Sequence, residues 1–143
     1  MAINKQVKIP PIITDRGNFF RVYIELLKTL KPFNTMRPKE RDMVAFIMYY
    51  KDKYKNLPNN QRDALIFSKE GRQQIAKDLN ISISTFYNML KAIRSKGILL
   101  DNKGTYSTLT KGKKNANATL LHPALQVDPD KTFEVLFTLK IND

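Results

Sequence analysis

The run from Arg72 to Leu99, RQQIAKDLNISISTFYNMLKAIRSKGIL, restricts the fold more than any other stretch of this chain. Its apolar residues follow helical spacing twice, with one break between. Ile75, Ala76 and Leu79 share a face of a first helix that ends near Leu79. Phe86, Leu90 and Ile93, separated by four and three residues, share a face of a second. Asn80 takes the turn, because asparagine tolerates the left-handed backbone that glycine adopts most easily. Ser82 or Ser84 caps the second helix, which is predicted to reach Lys96 with Gly97 as its C-terminal stop. Ile81 plugs the turn, and Ala76 is small where the two helices must cross closely.

The flanking segments suggest a frame for this pair. Residues 1–17 contain Pro10-Pro11 and read as an extended arm ending near Asp15-Arg16-Gly17. Phe19, Val22, Tyr23, Leu26, Leu27 and Leu30 recur at helical spacing, which predicts an amphipathic helix from about Asn18 to Leu30, ended by Lys31-Pro32. Pro38 suits a first helical position and Glu40 a capping-box carboxylate, so a helix should run from there to about Lys55. Its stripe is Met43, Ile47, Tyr50 and Tyr54, widened by Val44 and Phe46. Leu57 to Asn60 reads as a loop, and Leu65-Ile66-Phe67 as a small strand or a tight apolar connector, with Ser68 capping the next helix. Ile98-Leu99-Leu100 reads as a strand, Asp101 to Gly104 as a hairpin turn and Thr105 to Thr110 as the return strand. Lys111 to Asn115 is a basic loop. Phe133, Val135, Phe137, Leu139 and Ile141 alternate in a final strand over 132–141.

Charge adds a constraint on partners. The chain has 143 residues and a formal net charge of +12, unevenly placed. Residues 1–60 hold 12 Lys/Arg against 5 Asp/Glu, residues 61–125 hold 11 against 4, and residues 126–143 hold 2 against 4. The basic body favours a polyanion, usually nucleic acid, although such charge also serves solubility alone. The absence of cysteine excludes disulfides, thiol catalysis and cysteine-based zinc sites. The opening MAINKQVKIPPIIT lacks a continuous apolar core of the signal-peptide kind, and no stretch is long enough to span a bilayer. The expectation is a soluble protein with no membrane partner, cytoplasmic in a bacterial or phage-infected cell.

The motif IAKDLNISISTFYNMLKAIRSKGIL, with the order of elements around it, resembles the winged helix-turn-helix superfamily over about Arg37 to Leu109. The resemblance implies a mainly α fold with a small β part, a winged helix-turn-helix, which the flanking readings extend to a domain at 18–125 with an extra N-terminal helix, an extended arm at 1–17 and a C-terminal strand at 126–143. It also implies that the second helix enters the major groove of double-stranded DNA. Ser84, Thr85, Tyr87, Asn88 and Lys91 would then face DNA, with Arg94 on the same polar face. Hydroxyls at the helix N-terminus suit a phosphate, Asn88 suits adenine, Lys91 suits guanine or phosphate, and Tyr87 suits a sugar or a thymine methyl. Lys103, Lys111, Lys113 and Lys114 lie on or beside the wing, where they can follow the backbone or enter the minor groove. Asn80 stands at the usual turn glycine, and Phe86 where a smaller β-branched residue is common. A second similarity is to replication initiators of small plasmids and phages, whose wing strand is followed by an Asn-Pro element; Leu121-His122-Pro123 holds a comparable place.

Other candidates have plainer readings. Glu40 and Asp42 suit the positive end of a helix better than catalysis. Asp128, Asp130 and Glu134 lack the glycine of a calcium loop. His122 is the single histidine, in a loop, with no serine or carboxylate tied to it by motif. The tyrosines at 49, 50 and 54 with Phe46 suit a core better than base stacking, and Lys51, Lys53 and Lys55 suit a solvated face. No phosphate-cradling glycine loop or histidine metal motif is present, so no catalytic residue, metal or cofactor is expected.

Two functions fit. The first is a non-enzymatic DNA-binding protein, a transcription regulator or replication factor, with a homodimer contact through the Asn18–Leu30 helix or the C-terminal strand. The second is an assembly role in a phage or viral particle (a neck, connector or ring) that uses the winged helix as a protein–protein module. The Pro-containing arm and the terminal FEVLFTLKI, able to add to a neighbour's sheet, favour the second.

Overall fold

The computed structural model describes residues 14–101 and 118–131. Among them the protein is mainly helical with one small antiparallel sheet. The helices are α1 (Arg16–Leu27), α2 (Pro38–Lys53), α3 (Asn59–Phe67), α4 (Lys69–Asp78) and α5 (Ile83–Ser95). The strands are β1 (Leu99–Leu100) and β2 (Leu120–Leu121), with Leu99 opposite Leu121 and Leu100 opposite Leu120.

Four of the five helices begin where a side chain satisfies an orphan backbone donor, and α3, which follows Pro58, has no side-chain cap. The Asp15 carboxylate accepts from Asn18 N at 2.8 Å and starts α1. Pro38 opens α2, and the Arg37 N–H donates to Glu40 Oε1 at 2.8 Å. Ser68 Oγ accepts from Gly71 N and starts α4. Ser82, rather than Ser84, starts α5 by accepting from Thr85 N at 3.1 Å. The turn between α4 and α5 is as expected: Asn80 has φ 56° and the Ile81 N–H returns to Ala76 O at 3.0 Å. Gly97, at φ 77°, ends α5, and the Ile98 N–H returns to Ile93 O.

The core is one cluster. Ile75, Ala76 and Leu79 from α4 and Phe86, Leu90 and Ile93 from α5 are all buried in it. Phe86 is fully buried, so the larger side chain fills the interior. Ile81 is half-buried against the same cluster. Met43, Val44, Ala45, Ile47 and Met48 supply the inner face of α2, with Phe46, Tyr49, Tyr50 and Tyr54 partly buried at its margin. Helix α1 packs on α2, and α3 on both α2 and α4.

Several expectations need correction. The Leu65-Ile66-Phe67 run is the end of helix α3, not a strand or connector, and Asn59 and Asn60 begin that helix rather than close a loop. Its register buries Ile66 and leaves Leu65 47% exposed. The inner face of α1 is Phe20, Tyr23, Ile24 and Leu27, while Leu26 and Leu30 remain exposed. Apolar residues occur on both sides of this helix, so spacing alone left its register open by one residue. The visible partner of β1 is Leu120–Leu121, a strand the sequence had not marked. The proposed turn after Asp101 and return strand to Thr110, and the proposed strand over 132–141, lie outside the described residues, as does most of the arm.

Of the Lys51, Lys53 and Lys55 run, Lys53 and Lys55 are exposed, as a solvated face requires, and Lys51 is not. Lys51 is enclosed, donating to Asp63 Oδ1 at 3.2 Å and to the Thr119 carbonyl. Burial holds its ammonium below the usual lysine range, partly offset by Asp63. Lys55 bonds Asp130 at 2.8 Å, and Lys53 lies over the rings of Tyr50 and Tyr54. Residues 126–131 are therefore tied to the helical body: Asp130 bonds Arg16 and Lys55, and the Gln126 amide donates to Leu121 O.

Candidate nucleic-acid interface

The outer face of α5 follows from its inner one. With Phe86, Leu90 and Ile93 turned to the core, helical geometry turns Ser84, Thr85, Tyr87, Asn88 and Lys91 outward. All five are exposed, and Tyr87 is 42% exposed despite its size. No acidic residue occurs between Asp78 and Asp101, so α5 presents no carboxylate of its own. Lys91 makes no ion pair among the described residues.

At the N-terminus of α5 the capping network is partly closed. Ser82 Oγ holds the Thr85 N–H and donates to Thr85 Oγ1 at 2.9 Å, while Ser82 O takes the Phe86 N–H. A phosphate at this end would meet the Ile83 and Ser84 N–H groups and the Ser84 hydroxyl.

Arg72 joins this face from α4, a position to which the spacing within α5 does not point. Its guanidinium lies 5.1 Å from the Tyr87 ring centroid, and its Nε donates to Ser68 O at 3.4 Å. It makes no ion pair among the described residues. The signal was present but needed three dimensions, because fifteen positions and a turn separate Arg72 from Tyr87.

Arg94 is placed differently from its neighbours. It is half-buried, and its Nε donates to Ala118 O at 2.9 Å, just before β2. Burial, and then the like charge of Arg72, lower its pKa. Lys103, Lys111, Lys113 and Lys114 lie outside the described residues; by connectivity they belong to the segment that joins β1 to β2. From Leu79 to Val127 the chain carries seven Lys/Arg and one acid, Asp101.

The remaining candidates are occupied by the fold. Glu40 is 3% exposed and accepts from Lys96 Nζ at 2.7 Å. His122 Nδ1 accepts from Ala124 N, and its ring meets Phe33 edge-on. Tyr50 donates to Asp78 at 2.6 Å; burial and this carboxylate push its phenol pKa up. A recess of about 620 Å³ is lined by Phe20, Lys51, Asp63, Leu121 and Val127 among others. Its cations are engaged: Lys51 with Asp63, Lys55 with Asp130, and Arg62 with the carbonyls of Tyr54, Lys55 and Leu57. Among the described residues no three His, Cys, Asp or Glu side chains are grouped to hold a metal, and no helix is long and apolar enough to cross a membrane.

Comparison with known proteins gives no match among family models, curated proteins or solved structures.

Proposed function

We propose that this chain is a non-enzymatic DNA-binding protein of winged helix-turn-helix type, a transcription regulator or replication factor. In this reading α5 is the recognition helix and the segment between β1 and β2 is the wing. The observation that carries it is the outer face of α5: Ser84, Thr85, Tyr87, Asn88 and Lys91 all exposed, free of carboxylates, on a helix held by a tight turn. Asn88 supplies the donor and acceptor that adenine requires in the major groove, and Lys91 reaches guanine or phosphate. Arg72 over Tyr87 adds a cation beside an aromatic surface, suited to a phosphate and its sugar. The wing lysines add phosphate contacts without reading sequence.

The test is selection from a random-sequence duplex pool at two salt concentrations, with wild type beside the double variant Asn88→Ala, Lys91→Ala. A motif selected by the wild type and lost by the variant supports a sequence reader working through α5. Weak, salt-sensitive binding that the variant retains reduces the site to a basic surface. That result would favour the assembly role, for which the exposed Leu26 of α1 and Leu30 just beyond it offer a protein contact.

A further inference from the structure

The two residues that precede β2 are held from three helices at once. Arg94 of α5 donates to the Ala118 carbonyl at 2.9 Å. Lys51 of α2 donates to the Thr119 carbonyl. The Thr119 hydroxyl donates to Asp63 Oδ2 of α3 at 2.7 Å, and Asp63 Oδ1 receives Lys51 at 3.2 Å. Ala118 is 1% exposed, and Lys51 and Asp63 have side chains only 14% exposed, so these bonds are shielded from water. Backbone at a strand entry needs one partner per polar group, usually from the sheet. Here charged side chains supply them, and charge-assisted bonds in a shielded place are the stronger kind. Arg94 is the member that belongs to the recognition helix.

We propose that Arg94 is a positioning residue: it fixes the foot of the wing to α5, with Lys51, Asp63 and Thr119 completing the anchor. This rests on the DNA-binding reading above and assigns Arg94 a different job within it. A guanidinium that touched a phosphate would contribute one contact. A guanidinium that sets where β2 begins governs how several wing lysines meet the duplex. Thr119 shares this job without carrying any charge.

The difference is readable in salt dependence, since each phosphate contact contributes about 0.9 to the slope of log K against log salt. Binding of the full chain to a fluorescent random-sequence duplex is measured by anisotropy over a salt series. The proteins are wild type, Lys91→Ala, Arg94→Gln and Thr119→Val, each checked for native circular dichroism. We expect Lys91→Ala to lower the slope by about 0.9, the loss of one contact. Arg94→Gln should lower it by about 2 or more, and Thr119→Val should lower it although no charge is removed. The inference is overturned if Thr119→Val keeps the wild-type slope, or if Arg94→Gln loses only the single-contact value. Should Arg94→Gln fail to fold, Arg94→Lys takes its place, since it keeps the charge but not the Nε–H held by Ala118 O: a slope lowered by about 2 or more is expected, and the wild-type slope overturns the inference. Absence of salt-dependent binding by the wild type overturns the DNA reading itself, before any variant is compared.

Discussion

Asn80 has φ 56°, the one positive φ outside glycine among the described residues. The conformation is needed because the chain must reverse between α4 and α5 without lengthening the turn. Asn80→Gly should keep or slightly raise stability, while Asn80→Val should lower it by about 1–2 kcal/mol, since a β-branched residue resists the left-handed region. Urea unfolding midpoints of both variants check this. Gly71 has a different reason to be glycine, because a Cβ there would collide with the carbonyl oxygens of Leu65 and Ile66. Gly71→Ala should therefore destabilise by about 1–3 kcal/mol, as overpacking against backbone does. The asparagine was legible in the sequence, because its residue type and place in the turn announce the geometry. The glycine was not: its constraint comes from the close crossing of α3 and α4, and α3 itself had gone unseen.

Elements were legible in proportion to how much of their surface is buried. Helix α5 buries Phe86, Leu90 and Ile93 on one stripe and opens with a serine cap, so its pattern is unambiguous. Helix α3 has nine residues and buries one, Ile66, too little to leave a periodic trace. It is held by polar contacts that spacing cannot show, with Arg62 on three carbonyls at the end of α2 and Asp63 on Lys51. Strand β2 is two residues long, below any alternation. The junction of α2 with α5 depends on Lys96, whose ammonium meets the buried Glu40 carboxylate and the Thr35 carbonyl. Lys96→Ala strands that carboxylate and should cost about 3 kcal/mol. Replacing both partners at once, Glu40→Gln with Lys96→Met, should recover much of the loss, because no buried charge then lacks a partner. Chemical denaturation of the single and double variants tests the coupling.

Across the whole molecule the basic charge divides into two populations. Arg16, Arg21, Lys28, Arg41, Lys51, Lys55 and Lys96 are paired with carboxylates, whereas Arg72 and Lys91, like Lys31, Lys39, Lys53, Lys69 and Lys77, make no ion pair among the described residues. The sequence showed the excess but not this division, because the pairs join residues as far apart as Arg16 and Asp130. Lys55 and Arg16 hold the Asp130 carboxyl below its usual range, and Lys28, with Arg41, does the same for Glu25. Folded pKa values below the unfolded ones stabilise the protein above the ordinary carboxylate pKa, and that stabilisation goes as pH falls through the folded values. We expect a urea midpoint that is flat near neutrality and falls below about pH 4. The fall should be smaller in Asp130→Asn and in high salt, because these pairs are at the surface.

On the DNA-binding reading the carboxylate-free outer face of α5 is the contact surface, and the most direct measurement is where a duplex touches the protein. Amide and side-chain NMR shifts are mapped on titration with a short duplex at low salt and again at high salt. We expect shifts centred on Ser84, Thr85, Tyr87, Asn88 and Lys91, with Arg72 beside them, and their reversal as salt rises. Shifts centred on the exposed Leu26 of α1 and Leu30 just beyond it, or none at low salt, would contradict DNA recognition by α5.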